Sequence, residues 1–140
     1  MAPSRIRLQQ ILCPTNFSEF SDRAYRHARA LAGWFDARLT VLHVIQYVVP
    51  AGGDLPYFPA PITVGAAVRE EAQKELAIFV EAAQREGVAV DTLLLEGDPS
   101  REIQSTAEAL PADLLVMGTH GRGGFERLVL GSVTEKVLRR

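Results

Sequence analysis

A single cysteine, Cys13, stands in the 140 residues, and one thiol cannot close an intramolecular disulfide. That scarcity suits a reducing compartment, so a cytoplasmic location is expected. Long hydrophobic runs are missing too. No uninterrupted apolar stretch approaches the roughly 18 residues of a membrane span, and the opening MAPSRIRLQQ lacks the apolar centre of a secretory signal. Charge of one sign is equally scarce: 15 Lys and Arg face 17 Asp and Glu, for a net charge of −2. The arginines at positions 5, 7, 139 and 140 read as solvated ends, not as a basic stripe. Nucleic acid and membrane are therefore excluded as expected partners. The three histidines, His27, His43 and His120, show no metal-ligand spacing. Ser18, Ser21 and Ser132 lie in no G-x-S-x-G elbow. No catalytic residue and no metal site are expected.

What is present is an alternation. The apolar fraction of 47% with 23% charge is globular, and the length suits one domain over residues 1–140. An apolar run from Ile6 to Pro14 precedes a helical pattern from about Ser18 to Phe35, with Ala24, Ala28, Leu31, Ala32 and Phe35 on one face. A second run, Arg38 to Ile45, is rich in β-branched residues. Gln46 to Thr63 carries four prolines and two glycines and reads as a long loop. A second helix is expected from Val64 to Glu86, striped by Val68, Ala72, Leu76, Phe79 and Ala83 and stopped by Gly87. Val88 to Glu96 is the third strand. Asp98-Pro99 opens a helix as N-cap and first helical residue, and that helix ends near Leu110-Pro111. Asp113 to Gly118 is the fourth strand, and Ser132 to Arg139 the last helix. Strands alternating with helices of this length predict an α/β, doubly wound, mostly parallel open sheet with helices on both faces. Ligands of such sheets sit beyond the C-terminal strand ends, where the strand order reverses. Two loops are thus singled out: CPTNFSE after the first strand and the glycine-rich stretch after the fourth.

That stretch holds glycines at 118, 121, 123, 124 and 131. Glycine lets backbone N–H groups approach a ligand closely. The following GSVTE sets Ser132 and Glu135 in capping-box relation, and a helix N-terminus offers free donors and partial positive charge. Together they describe an anion site suited to phosphate, with Arg122 and Arg127 adding charge that Glu126 partly offsets. A plain surface loop, with Ser132 only capping its helix, explains the same glycines. Neither G-x-x-x-x-G-K-[ST] nor a G-x-G-x-x-G after the first strand occurs. His120 reads either as a phosphate or ribose contact or as an exposed loop residue. His43 reads as a structural histidine in its strand, His27 as solvent-facing, and Cys13 as a small buried hydrophobe.

Gly118, Gly121, Gly131 and Ser132 are spaced as G-x2-G-x9-G-[ST], which resembles the nucleotide motif of the universal stress protein family. ILCPTNFSEFSDRAYRHA, LTVLHV, EGDPSREI and LLVMGTHGRGG resemble, in order, that family's first strand and helix, second strand, third crossover, and fourth strand with its loop. The resemblance implies strand order 3-2-1-4-5, frequent dimerisation and membership of the ATP-binding subgroup. It implies a cofactor-binding set in which Pro14, Thr15 and Asn16 lie near base and ribose, with Val44 at the end of the second strand. Met117 and Gly118 would line the nucleoside side, and His120, Gly121, Arg122, Gly131, Ser132 and Val133 would surround the phosphates. Two departures stand out. Asn16 occupies a position where many ATP-binding members carry aspartate; it keeps a carbonyl acceptor for ribose but lacks the charge that would help a metal ion. The fifth strand, which commonly forms the dimer contact, is expected to be missing, because the sequence stops at Arg139-Arg140. The resulting expectation is a homodimeric, ATP-binding stress-response or signalling module, with Mg²⁺ accompanying the nucleotide and little or no hydrolysis. A nucleotide-independent interaction protein of the same fold and a slow ATPase are the alternatives.

Overall fold

The computed structural model describes residues 7–46 and 65–118. Among these, strand and helix alternate as β1 Gln10–Pro14, α1 Glu19–Phe35, β2 Arg38–Ile45, α2 Ala66–Arg85, β3 Val90–Glu96, α3 Pro99–Ala109 and β4 Leu114–Leu115. The four strands form one sheet in the order β3-β2-β1-β4, and every pair is parallel. The loop expected over 46–63, apart from Gln46, and the last helix expected over 132–139 lie outside the described residues.

The two-residue period of the strands sorts side chains onto two faces. Ile11, Cys13, Leu39 and Val41 meet Tyr25, Ala28 and Ala32 of α1 and Leu76, Val80 and Ala83 of α2. Leu12 and Leu42 point the other way, toward Ile103 of α3. Helices therefore cover both faces, as the alternation predicts. Leu12, Leu39, Val41 and Leu42 are fully buried, each contributing about 1.5–3 kcal/mol of hydrophobic stabilisation.

Capping explains the helix bounds. Ser18 precedes α1 and its side chain accepts from the Ser21 N–H. Asp98 does the same for α3 from the Arg101 N–H, with Pro99 at the first helical position. α2 ends in a Schellman arrangement: Gly87 takes φ 84°, its N–H donates to Gln84 O at 3.1 Å, and the Val88 N–H reaches Ala83 O at 3.1 Å. Val88 is thus spent on the turn, which is why β3 starts at Val90 and not at the expected Val88.

Other boundaries also moved. β1 opens at Gln10, where the N–H groups of Gln9 and Gln10 donate to Asp113 Oδ2 at 2.8 and 3.0 Å. β4 is shorter than the expected 113–118, although its bonding to β1 runs from the Asp113 N–H to Gln10 O (2.8 Å) as far as the Val116 N–H to Leu12 O (2.9 Å). On α2 the buried stripe is Ala72, Leu76, Val80 and Ala83. Val68, expected on it, is 54% exposed in the first turn, and Phe79 lies at the stripe's edge, where its ring meets Tyr25. On α1, Tyr25 is buried where Phe35 was expected; Phe35 is exposed, at the point where Asp36 ends the helix with φ 52°.

Candidate functional site

β1 and β4 are neighbours at the centre of the winding. The chain leaves β1 through α1 on one face and arrives at β4 from α3 on the other. The strand order reverses between them, and an open parallel sheet presents its ligand crevice there.

The β1 side is built from residues 14–21. Pro14 is buried, and Thr15 is 6% exposed. The Thr15 N–H donates to Leu42 O at 2.8 Å, extending the ladder one residue past β1. Its carbonyl lies 2.8 Å from His43 Nδ1. A carbonyl only accepts, so this contact places the proton on Nδ1. His43 is therefore a structural histidine with a defined task, holding the exit of β1. The Phe17 N–H donates to Thr15 Oγ1 at 3.0 Å. Phe17 adopts φ 63°, a left-handed conformation that costs a non-glycine residue about 1–3 kcal/mol. Ring contacts help offset that cost: His43 lies with centroids 4.5 Å apart, and Phe79 edge-on at 5.8 Å.

Asn16 sits half-buried inside a closed polar network. Its Oδ1 accepts from the Ser18 N–H at 3.0 Å and from the Ser21 hydroxyl. Its own N–H donates to Ser21 Oγ at 3.1 Å. The Ser18 and Ser21 hydroxyl oxygens lie 3.1 Å apart, and the Ser21 N–H donates to Ser18 Oγ at 3.2 Å. The loop and the first turn of α1 thus share one set of hydrogen bonds.

The β4 side comes close to that turn. A Cβ on Gly118 would lie 3.1 Å from both the carbonyl carbon and oxygen of Phe20 and 3.3 Å from its Cβ. Gly118 is glycine because the two loops approach main chain to main chain. Met117 and Val44 pack together with the apolar group on the α3 face. Cys13 lies on the opposite face beneath the loop, and burial pushes its thiol up to about 12. It is an unreactive hydrophobe. Asp113, at the far end of β4, is held below the ordinary carboxylate range by the N–H groups of Gln9 and Gln10.

Of the residues singled out from sequence, Pro14, Thr15, Asn16, Met117 and Gly118 fall together at the adjacent ends of β1 and β4, with Val44 at the end of β2. His120, Gly121, Arg122, Gly131, Ser132 and Val133 lie outside the described residues. Sequence reasoning missed His43, Phe17 and Ser21 as supports of the loop. A signal for the serines was present in N-x-S-x-x-S, an Asx turn running into an N-cap; nothing in the sequence pairs His43 with Thr15. His27 is exposed, as expected. Among the described residues no cluster of three or more His, Cys, Asp or Glu gathers to hold a metal ion, and no helix is long and apolar enough to cross a membrane.

A doubly wound parallel sheet in the order β3-β2-β1-β4, with helices on both faces, defines an open α/β domain. The chain belongs to the universal stress protein family, whose model matches residues 7–140. It is 39% identical over 131 residues to universal stress protein MJ0531 of Methanocaldococcus jannaschii, covering 94% of this chain and 76% of that one. It is similar in structure to MJ0577 of the same organism, with TM-score 0.76 and 25% identity over 96% of this chain and 91% of the other. A universal stress protein from Archaeoglobus fulgidus, solved in complex with dAMP, shares the fold at TM-score 0.66 and 22% identity, over 97% and 93% of the two chains.

Proposed function

We propose that this chain binds an adenine nucleotide, ATP with Mg²⁺, as a nucleotide-dependent stress-response or signalling module with little or no hydrolysis. The observation that carries the reading is the close approach of Gly118 to Phe20 beside Thr15 and Asn16, at the switch point of the sheet. A side chain at 118 would press on the Phe20 main chain and push the two loops apart. The sequence continues from Gly118 into G-x2-G-x9-G-S, a glycine spacing that suits close main-chain approach to phosphate. The complex of the A. fulgidus protein with dAMP supports the reading at the level of the fold.

In this reading Pro14, Thr15, Asn16, Val44, Met117 and Gly118 hold the nucleoside. His120, Gly121, Arg122, Gly131, Ser132 and Val133 hold the phosphates. Phosphoryl transfer needs a positioned base and metal-holding carboxylates; the β1 loop offers an amide at Asn16 instead, so binding is favoured over turnover. The protein is proposed to act as a cytoplasmic homodimer.

Isothermal titration with MgATP tests the proposal. The expected result is saturable heat and a rise in melting temperature, since ligand at 100 times its Kd stabilises by about 2.7 kcal/mol. Gly131→Val should abolish both. No heat and no protection up to millimolar nucleotide would refute nucleotide binding and leave a nucleotide-independent interaction protein. Phosphate release above background, lost in Ser132→Ala, would instead make the chain a slow ATPase.

A further inference from the structure

We infer that Asn16 is a specificity-determining residue whose side chain presents only hydrogen-bond donors to the ligand, so that the ligand atom it meets is an acceptor. The inference rests on the nucleotide reading and adds the polarity of one contact. An amide oxygen has two lone pairs. Both are used on Asn16 Oδ1, by the Ser18 N–H and the Ser21 hydroxyl. The amide orientation follows from the same bonds: the Ser18 N–H can only donate, so the atom 3.0 Å from it is the oxygen. The Ser21 hydroxyl is saturated as well, giving its proton to Asn16 and accepting from the Asn16 N–H and Ser18 Oγ. The lone pairs of Asn16 Oδ1 and Ser21 Oγ are thus all taken, and Ser18 Oγ accepts from the Ser21 N–H.

What remains is Nδ2. Its two N–H groups donate to no described residue. A ligand seated at the end of β1 therefore meets a neutral donor where a carboxylate would offer an anionic acceptor. Such a donor recognises a ring nitrogen or an ether or carbonyl oxygen. It repels an exocyclic amine and gives no coordination to a cation.

Asn16→Asp isolates this contact. The carboxylate retains Oδ1 with its two partners, so the loop and the α1 cap survive, and the near-isosteric Oδ2 replaces the donor with a charged acceptor. The experiment is titration of wild type and N16D with ATP and with adenosine, in the presence and absence of Mg²⁺, alongside thermal unfolding. Adenosine is uncharged, so its response separates the local contact from repulsion between the new carboxylate and phosphates. The expected result is at least a tenfold loss of affinity for both ligands, at an unchanged or slightly higher melting temperature. Equal or tighter binding by N16D, with or without Mg²⁺, overturns the inference while leaving nucleotide binding intact. A loss confined to ATP overturns it too, because that loss is long-range charge alone. A wild-type protein that binds neither ligand removes the nucleotide reading, and this inference with it.

Discussion

Replacing Gly118 with alanine places a methyl carbon 3.1 Å from two main-chain atoms of Phe20. Neither atom belongs to a rotatable side chain, so relief requires one loop to move. Overpacking of this kind costs about 1–3 kcal/mol. An opposing term comes from the unfolded chain, which loses freedom when glycine becomes alanine and so favours folding by roughly 0.4–1 kcal/mol. No left-handed backbone strain enters, since the positive-φ glycines among the described residues are Gly87 and Gly97. The net expectation is a destabilisation of about 1–2 kcal/mol, which for a chain of this size lowers the melting temperature by roughly 3–8 °C. Differential scanning calorimetry of G118A measures it, with Gly33→Ala as the internal control. Gly33 lies within α1 with no atom near an added Cβ, so that substitution should stabilise by up to about 1 kcal/mol through helix propensity. Phe20→Ala should not rescue G118A, because the obstruction is main chain. A melting temperature for G118A at or above wild type, or rescue by F20A, would refute the close approach of the two loops.

The remaining predictions concern the titrating groups around the sheet. Cys13, buried and pushed up to about 12, should resist a thiol reagent at pH 8 in the native protein and react at once in denaturant. Because its folded value is raised above the ordinary 9.0, its contribution to stability is complete below pH 9 and is lost as pH climbs toward 12; a native thiol that reacts as fast as the unfolded one would refute its burial. Asp113 is depressed from the ordinary 3.8 by two backbone N–H groups, so its contribution is present above that pH and is lost as pH falls below it. The difference in melting temperature between wild type and Asp113→Asn should therefore shrink on acidification below pH 4, and a gap constant down to pH 2 would show that the carboxylate is not what holds the start of β1.

Much of the molecule was legible before any coordinates. The period-two run of β2, the Asp98-Pro99 start and the Gly87 stop are local signals, because caps and turns depend on residues within one helical turn of each other. Six residues that motif resemblance proposes for the site are among those described: Pro14, Thr15, Asn16, Met117 and Gly118 at the ends of β1 and β4, and Val44 near the end of β2. Errors fell where distant chain decides. Val68 stands in phase with the buried stripe of α2 yet lies exposed, and the entry to β1 is held by a carboxylate more than a hundred residues away, which accepts from Gln9 and Gln10.

Sequence by itself therefore determined the alternating order of strands and helices among the described residues, and their caps. All of these arise from interactions between near neighbours along the chain. Only the tertiary structure decided that His43 anchors Thr15 and that Gly118 abuts Phe20. Those contacts depend on which strand ends the winding brings side by side, and no local preference encodes that placement.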